Sequence, residues 1–155
     1  MFRFSAFPLL ICGAWLAASA LANTPNDEAI EKDQQRLEGT WQVTSLTING
    51  NKVEERETNK ITVVNGDDGS WSVHSEGEVI SKGTSRLNPE KKPKTIDFTA
   101  TEGGGKGQQF RGIYRLKKKT RKLCFAPAGN DRPMTFSSTA ENQHILVTFK
   151  RIKPD

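Results

Sequence analysis

From Thr40 to Ile152 the chain advances in short runs whose apolar residues recur at every second position, and each run ends in turn-forming residues. This period places successive side chains on opposite faces of a strand, whereas a helical bundle needs apolar positions about 3.6 residues apart. The runs are TWQVTSLTI, closed by Asn49-Gly50; KITVV, closed by NGDDG; SWSVHS and EVISKGTSRL, split around Gly77; KTIDFTA after NPEKKP; QQFRGIYRLK after EGGGKG; KLCFA after KKTR; and HILVTFKRI after the PAGNDRP loop. Ile96 and Phe98 share one face, with Asp97 on the other. Phe110, Gly112, Tyr114 and Leu116 share a face opposite Arg111 and Arg115, and Ile145, Val147 and Phe149 align similarly. Eight short strands with regular turns argue for a sandwich or a barrel. A meander of eight strands closes naturally into a small barrel.

Ahead of the strands, TPNDEAIEKDQQRLEG reads as one short helix. Thr24 caps it, Pro25 suits its first position, Asp27 completes a capping-box spacing and Gly39 stops it. Ile30 and Leu37 give a thin apolar stripe, so the helix is expected to be mostly solvated. The opening residues, MFRFSAFPLLICGAWLAASALAN, combine Arg3, an apolar stretch from Phe4 to Ala18 and the small-x-small site Ala20-Leu21-Ala22. That is the layout of a cleaved secretion signal, short for a spanning helix. The expected organisation is a signal peptide at 1–22, a helix and linker at 23–36 and a barrel domain at 37–153. The expected residence is the periplasm, the cell envelope or the extracellular space. A net charge of +5 would suit nucleic acid, but an exported protein rarely meets any, so that partner is set aside. Of the two cysteines, Cys12 lies in the leader and Cys124 has no intramolecular partner left, so the core must hold the fold without a disulfide.

LEGTWQVTSLTING, with Gly39-Thr40-Trp41, resembles the opening of lipocalin-like barrels. LEGTW, NPEKKPKTIDF, GKGQQFRGIYRL, KLCFAPAGNDRPMTFSS and ILVTFKR together are similar to an uncharacterised lipocalin-like domain family, abundant in planctomycete-type bacteria. The similarity spans about Leu37 to Arg151. It implies an eight-stranded antiparallel up-and-down calycin barrel behind a short N-terminal helix. It implies no assigned activity, so no catalytic or ligand residue carries over. The second lipocalin motif is absent, with KKKTRK in its place, and a carrier role is therefore an analogy at the level of fold.

Little in the chain looks like catalysis. Cys124 shares a face with Ala126, opposite Leu123 and Phe125. If the bulky pair faces inward, the thiol lies outside the barrel under the N-terminal helix; in the inverted register it lies in the lumen. Either way it behaves as a small hydrophobe. His74 and His144 lie on different strands, offer Cys124 no base, and match no zinc-ligand spacing. GGGKG lacks the Walker spacing and reads as a flexible hairpin tip. Asp97 has no evident partner for acid–base work, and Asp131-Arg132-Pro133 reads as a turn. No enzyme activity, metal or cofactor is expected.

The turns divide by charge. NGDDG, PEKKPK and KKKTRK make one end of a meander basic; NKVEERE, SEGE, EGGGKG and GNDRP make the other acidic. The leading expectation is a small, partly apolar ligand held in the barrel, with Trp41, Phe98, Phe110, Tyr114, Phe149 and Arg132 as candidate lining and mouth residues. Entry is expected between EGGGKG and AGNDRP, and the acidic mouth favours neutral or cationic ligands. The alternative is an envelope interaction protein with a filled barrel, whose basic pole meets an anionic polymer or lipid.

Overall fold

A computed structural model describes residues 25–153. The expected signal peptide and the expected Thr24 cap lie outside the described residues. Helix α1 (Pro25–Leu37) is followed by β1 (Gly39–Ile48), the two-residue β2 (Asn51–Lys52) and the single turn α2 (Glu55–Thr58). Then come β3 (Ile61–Asn65), β4 (Ser70–Ser75), β5 (Glu78–Asn88), β6 (Lys94–Gly103), β7 (Gln109–Leu116), β8 (Thr120–Phe125) and β9 (Ile145–Arg151). Strands β1 and β3 to β9 pair antiparallel in sequence order, and β9 returns to β1, closing an eight-stranded up-and-down barrel. The short β2 only folds back on the end of β1. Asn49 and Gly50 make that reversal with φ of 52° and 81°, the left-handed pair an Asn-Gly turn supplies cheaply.

Alternation sorts the side chains. In β1, Trp41 and Val43 face inward; a bulge between Val43 and Ser45 then shifts the register, so Leu46 and Ile48 face inward in turn. Trp41, Val43, Val147 and Phe149 form one buried cluster. Leu37, Leu87 and Tyr114 form a second where α1 meets the barrel. The helix therefore closes the end at which β1 begins, and the opposite end, at Ile48, Gly104 and Ile145, is open. Leu37 belongs to the helix, so the barrel proper begins two residues later, at Gly39.

The long segment from Pro127 to His144 lies on the barrel's outer wall. Arg132 Nη1 donates to the carbonyls of Ile96 at 3.2 Å and Gly112 at 2.8 Å, and Arg132 Nη2 pairs with Asp97 at 2.7 Å. Asp97 thus has a partner that the sequence did not indicate. This segment, not α1, covers Cys124.

Candidate functional site

The barrel interior holds a cavity of about 390 Å³. Every strand of the barrel contributes to its walls, which are mainly aliphatic and aromatic, with Ser81 and Ser85 of β5 among the polar exceptions and Ile48, Gly104 and Ile145 at the open end. Trp71, Phe98, Phe110 and Phe125 pack on one another along one side. The Phe98 and Phe110 rings stack at 5.2 Å, and Trp71 and Phe125 meet Phe98 edge-on at 6.0 and 4.9 Å. Such offset and edge-on contacts fix the rings without a flexible linker. The indole of Trp71 lies against Gly83, where an added Cβ would stand 2.3 Å from the ring. Glycine here makes room for the aromatic wall.

Of the candidate lining residues, Phe98, Phe110, Tyr114 and Phe149 do line the cavity. Trp41 does not: it is wholly buried below the cavity, with its Nε1 donating to the Leu37 carbonyl at 2.8 Å. It anchors the helix to the closed end. Arg132 does not either, because its guanidinium is spent on carbonyls of the outer wall. For the same reason the AGNDRP loop folds away from the mouth, and of the two loops expected to frame it only EGGGKG contributes, through Gly104.

The floor is the part that the sequence pattern concealed. KKTR reads as a turn, yet Thr120 and Arg121 begin β8, and Arg121 falls on the inward face with Leu123 and Phe125. Counting back by twos from Leu123 was the available signal; the charge run obscured it. Arg121 is 7% exposed. Its Nη1 donates to Asn65 Oδ1 at 2.8 Å, and its guanidinium carbon lies 4.0 Å from the Phe149 ring centre and 5.1 Å from that of Trp41. Its Nε is buried without a partner, as is Trp71 Nε1, on the residue paired across the ladder with Asn65. Burial, with the neighbouring charge of Arg151, pushes the Arg121 guanidinium down to about 9, still cationic at neutral pH.

Beneath the floor, Asp33 of α1 is 3% exposed. Its Oδ2 accepts from Lys94 Nζ at 2.8 Å and from the Tyr114 hydroxyl at 2.7 Å, and Arg36 reaches Oδ1 at 3.4 Å. Burial alone would raise this carboxyl. The hydrogen bonds from Lys94 and Tyr114, with the charges of Lys94 and Arg36, outweigh that and hold it below the usual carboxylate range. Tyr114 is pushed up in turn, first by burial and then by Asp33.

Cys124 is fully buried on the outward face, and its Sγ donates to the Ser137 carbonyl at 3.4 Å. Burial pushes the thiol up, the opposite of what a nucleophile needs. His74 Nε2 contacts the Ser72 hydroxyl at 2.8 Å on the far side of the barrel. Among the described residues no group of His, Cys, Asp and Glu is placed to hold a metal ion. At the closed end a second concavity, about 770 Å³, is lined by Arg36, Lys117, Lys118, Lys119, Lys150, Arg151 and Lys153. No protein-family model, curated protein or solved structure matches this chain.

Proposed function

We propose that this chain is an exported, non-catalytic, lipocalin-like module that binds a small, partly apolar ligand inside the barrel. The observation behind this reading is the open interior. An eight-stranded barrel has room either for packed side chains or for one small ligand. Here about 390 Å³ stays open within apolar walls, in the range of small-molecule sites, roughly 300–1,000 Å³. Apolar surface moved from water into such walls is worth roughly 25 cal/mol per Å². The rigid aromatic side lowers the ordering cost of binding. The test is native mass spectrometry of protein from its own host, with fluorescence titration of an uncharged apolar dye into the ligand-stripped protein. A co-purified small molecule or a saturable dye site supports the reading. No added mass and no dye site would remove it.

The basic cleft favours a second reading, in which the closed end meets an anionic envelope polymer or lipid. No described carboxylate lines the cleft, and lysines around such a concavity raise the local concentration of polyanions. Co-sedimentation with anionic vesicles or polymer should then occur. It should weaken with salt and with Lys117→Ala, Lys118→Ala and Lys119→Ala combined; wild-type protein left in the supernatant would exclude it.

A further inference from the structure

Of the residues lining the barrel cavity, Arg121 is the one that carries a formal charge; no aspartate or glutamate faces it there. The side chain meets a neutral amide and two aromatic faces, no described carboxylate lies within ion-pair distance of it, and the neighbouring charge is the like charge of Arg151. A buried charge is ordinarily paired, because leaving it unpaired forfeits its hydration without return. The Asn65 bond and the rings compensate in part. What remains is a donor-rich floor: Arg121 Nε and Trp71 Nε1 are both buried without an acceptor, at the bottom of a largely apolar chamber.

Resting on the barrel-binding reading above, we infer that the ligand is a single-chain amphiphile with a small anionic head, of the monocarboxylate class, held head-down on Arg121 with its apolar chain along the Phe98–Phe110–Phe125 wall. The carboxylate supplies the missing counter-charge, and charge-assisted hydrogen bonds of this kind are roughly twice as strong as neutral ones. The acidic loops at the open end do not oppose this, because they lie at the rim while the head travels to the floor. Asn65 holds the guanidinium in place, its own side chain lying on the same inward face of β3 as Val63 and Ile61. The basic cleft just outside, with Arg36 and Arg151, adds positive potential at the same end.

The experiment compares decanoate, decanol and decylamine by titration calorimetry at neutral pH against the purified, ligand-stripped chain, with Arg121→Met and Asn65→Asp. The expected result is decanoate binding about tenfold or more tightly than decanol, with decylamine weakest. Arg121→Met removes the charge. Asn65→Asp keeps the shape but supplies an internal counter-charge to Arg121, so it stays informative if the first variant does not fold. In either variant the preference for decanoate should vanish while decanol still binds. Decanol bound as tightly as decanoate by the wild type would overturn the inference and leave the barrel-binding reading standing. So would a preference for decanoate that survives Asn65→Asp. Binding of none of the three would overturn both.

Discussion

The guanidinium of Arg151 lies 4.2 Å over the ring of Trp41, one at the end of β9 and the other near the start of β1. The same guanidinium donates to the carbonyls of Arg36, Glu38 and Lys118. These include carbonyls at the C-terminal end of α1, where a helix leaves acceptors unsatisfied and favours a cation. Trp41 and Arg151 therefore act as one clasp joining helix, first strand and last strand. Trp41→Ala should cost about 3–5 kcal/mol by leaving a cavity in the sealed end. Arg151→Ala should cost about 1.5–3 kcal/mol by orphaning the carbonyls. Urea unfolding checks both; an unchanged midpoint in Trp41→Ala would contradict the clasp.

Asp33 should give the protein an acid-sensitive latch. A carboxyl whose folded pKa is depressed contributes stability in full above its unfolded value of about 3.9 and loses it as pH falls through the lower folded value. Asp33→Asn should lose about 2–3 kcal/mol near neutral pH, because Lys94 and Tyr114 lose a charged acceptor. It should also be less sensitive than the wild type below about pH 4. Unfolding free energies measured from neutral pH down into the acid range give the comparison. Parallel curves would show that Asp33 does not set the acid limb.

Cys124 should react with a thiol reagent only when the wall segment over it opens. Its sulfur is buried under Ser137, and its raised pKa keeps it protonated at neutral pH. Arg132 pins that segment through Asp97 and two wall carbonyls. Arg132→Ala should therefore speed labelling of Cys124 by about tenfold, if the lost contacts are worth about 1.4 kcal/mol of local opening. Cys124→Ala should lower stability only modestly and leave ligand binding unchanged. Fast labelling of the wild type at neutral pH would mean that the thiol is not sealed.

Strand order and the inward faces were legible because a half-buried strand must alternate, and Phe98, Phe110, Tyr114 and Phe149 do line the cavity. The misplacements arose where local pattern and tertiary partner part company. Trp41 is aromatic and inward, but α1 packs across the end and takes it out of the chamber. Arg132 sits in a loop whose direction is set by hydrogen bonds to strands distant in sequence. Asp33 lies three residues after Ile30 and four before Leu37, on the helix's apolar stripe, a spacing that offered a signal of its burial, but a carboxylate on so thin a stripe reads as one more solvated charge. Its partners on β6 and β7 could not be read from the helix. Arg121 is the clearest case: a run of basic residues looks like a solvated turn, and only the parity of β8 turns one of them inward.

Val63 and Gly83 together test whether the interior is open. Val63 lines the cavity, so Val63→Phe extends a ring into empty space. In a filled barrel the same change would overpack the core and cost about 1–3 kcal/mol. Here it should leave stability unchanged or raise it by about 1 kcal/mol, since the ring buries apolar surface without displacing a neighbour. Gly83→Ala is the opposite case: its Cβ would meet the Thr99 carbonyl oxygen at 2.0 Å and the Trp71 ring at 2.3 Å. It should destabilise by about 1–3 kcal/mol and press the indole toward the chamber. Both variants should lose apolar dye binding, but only Gly83→Ala should lose stability with it. Thermal melts and dye titrations on the same samples separate the two effects. A destabilised Val63→Phe that still binds dye would place the ligand somewhere other than the barrel.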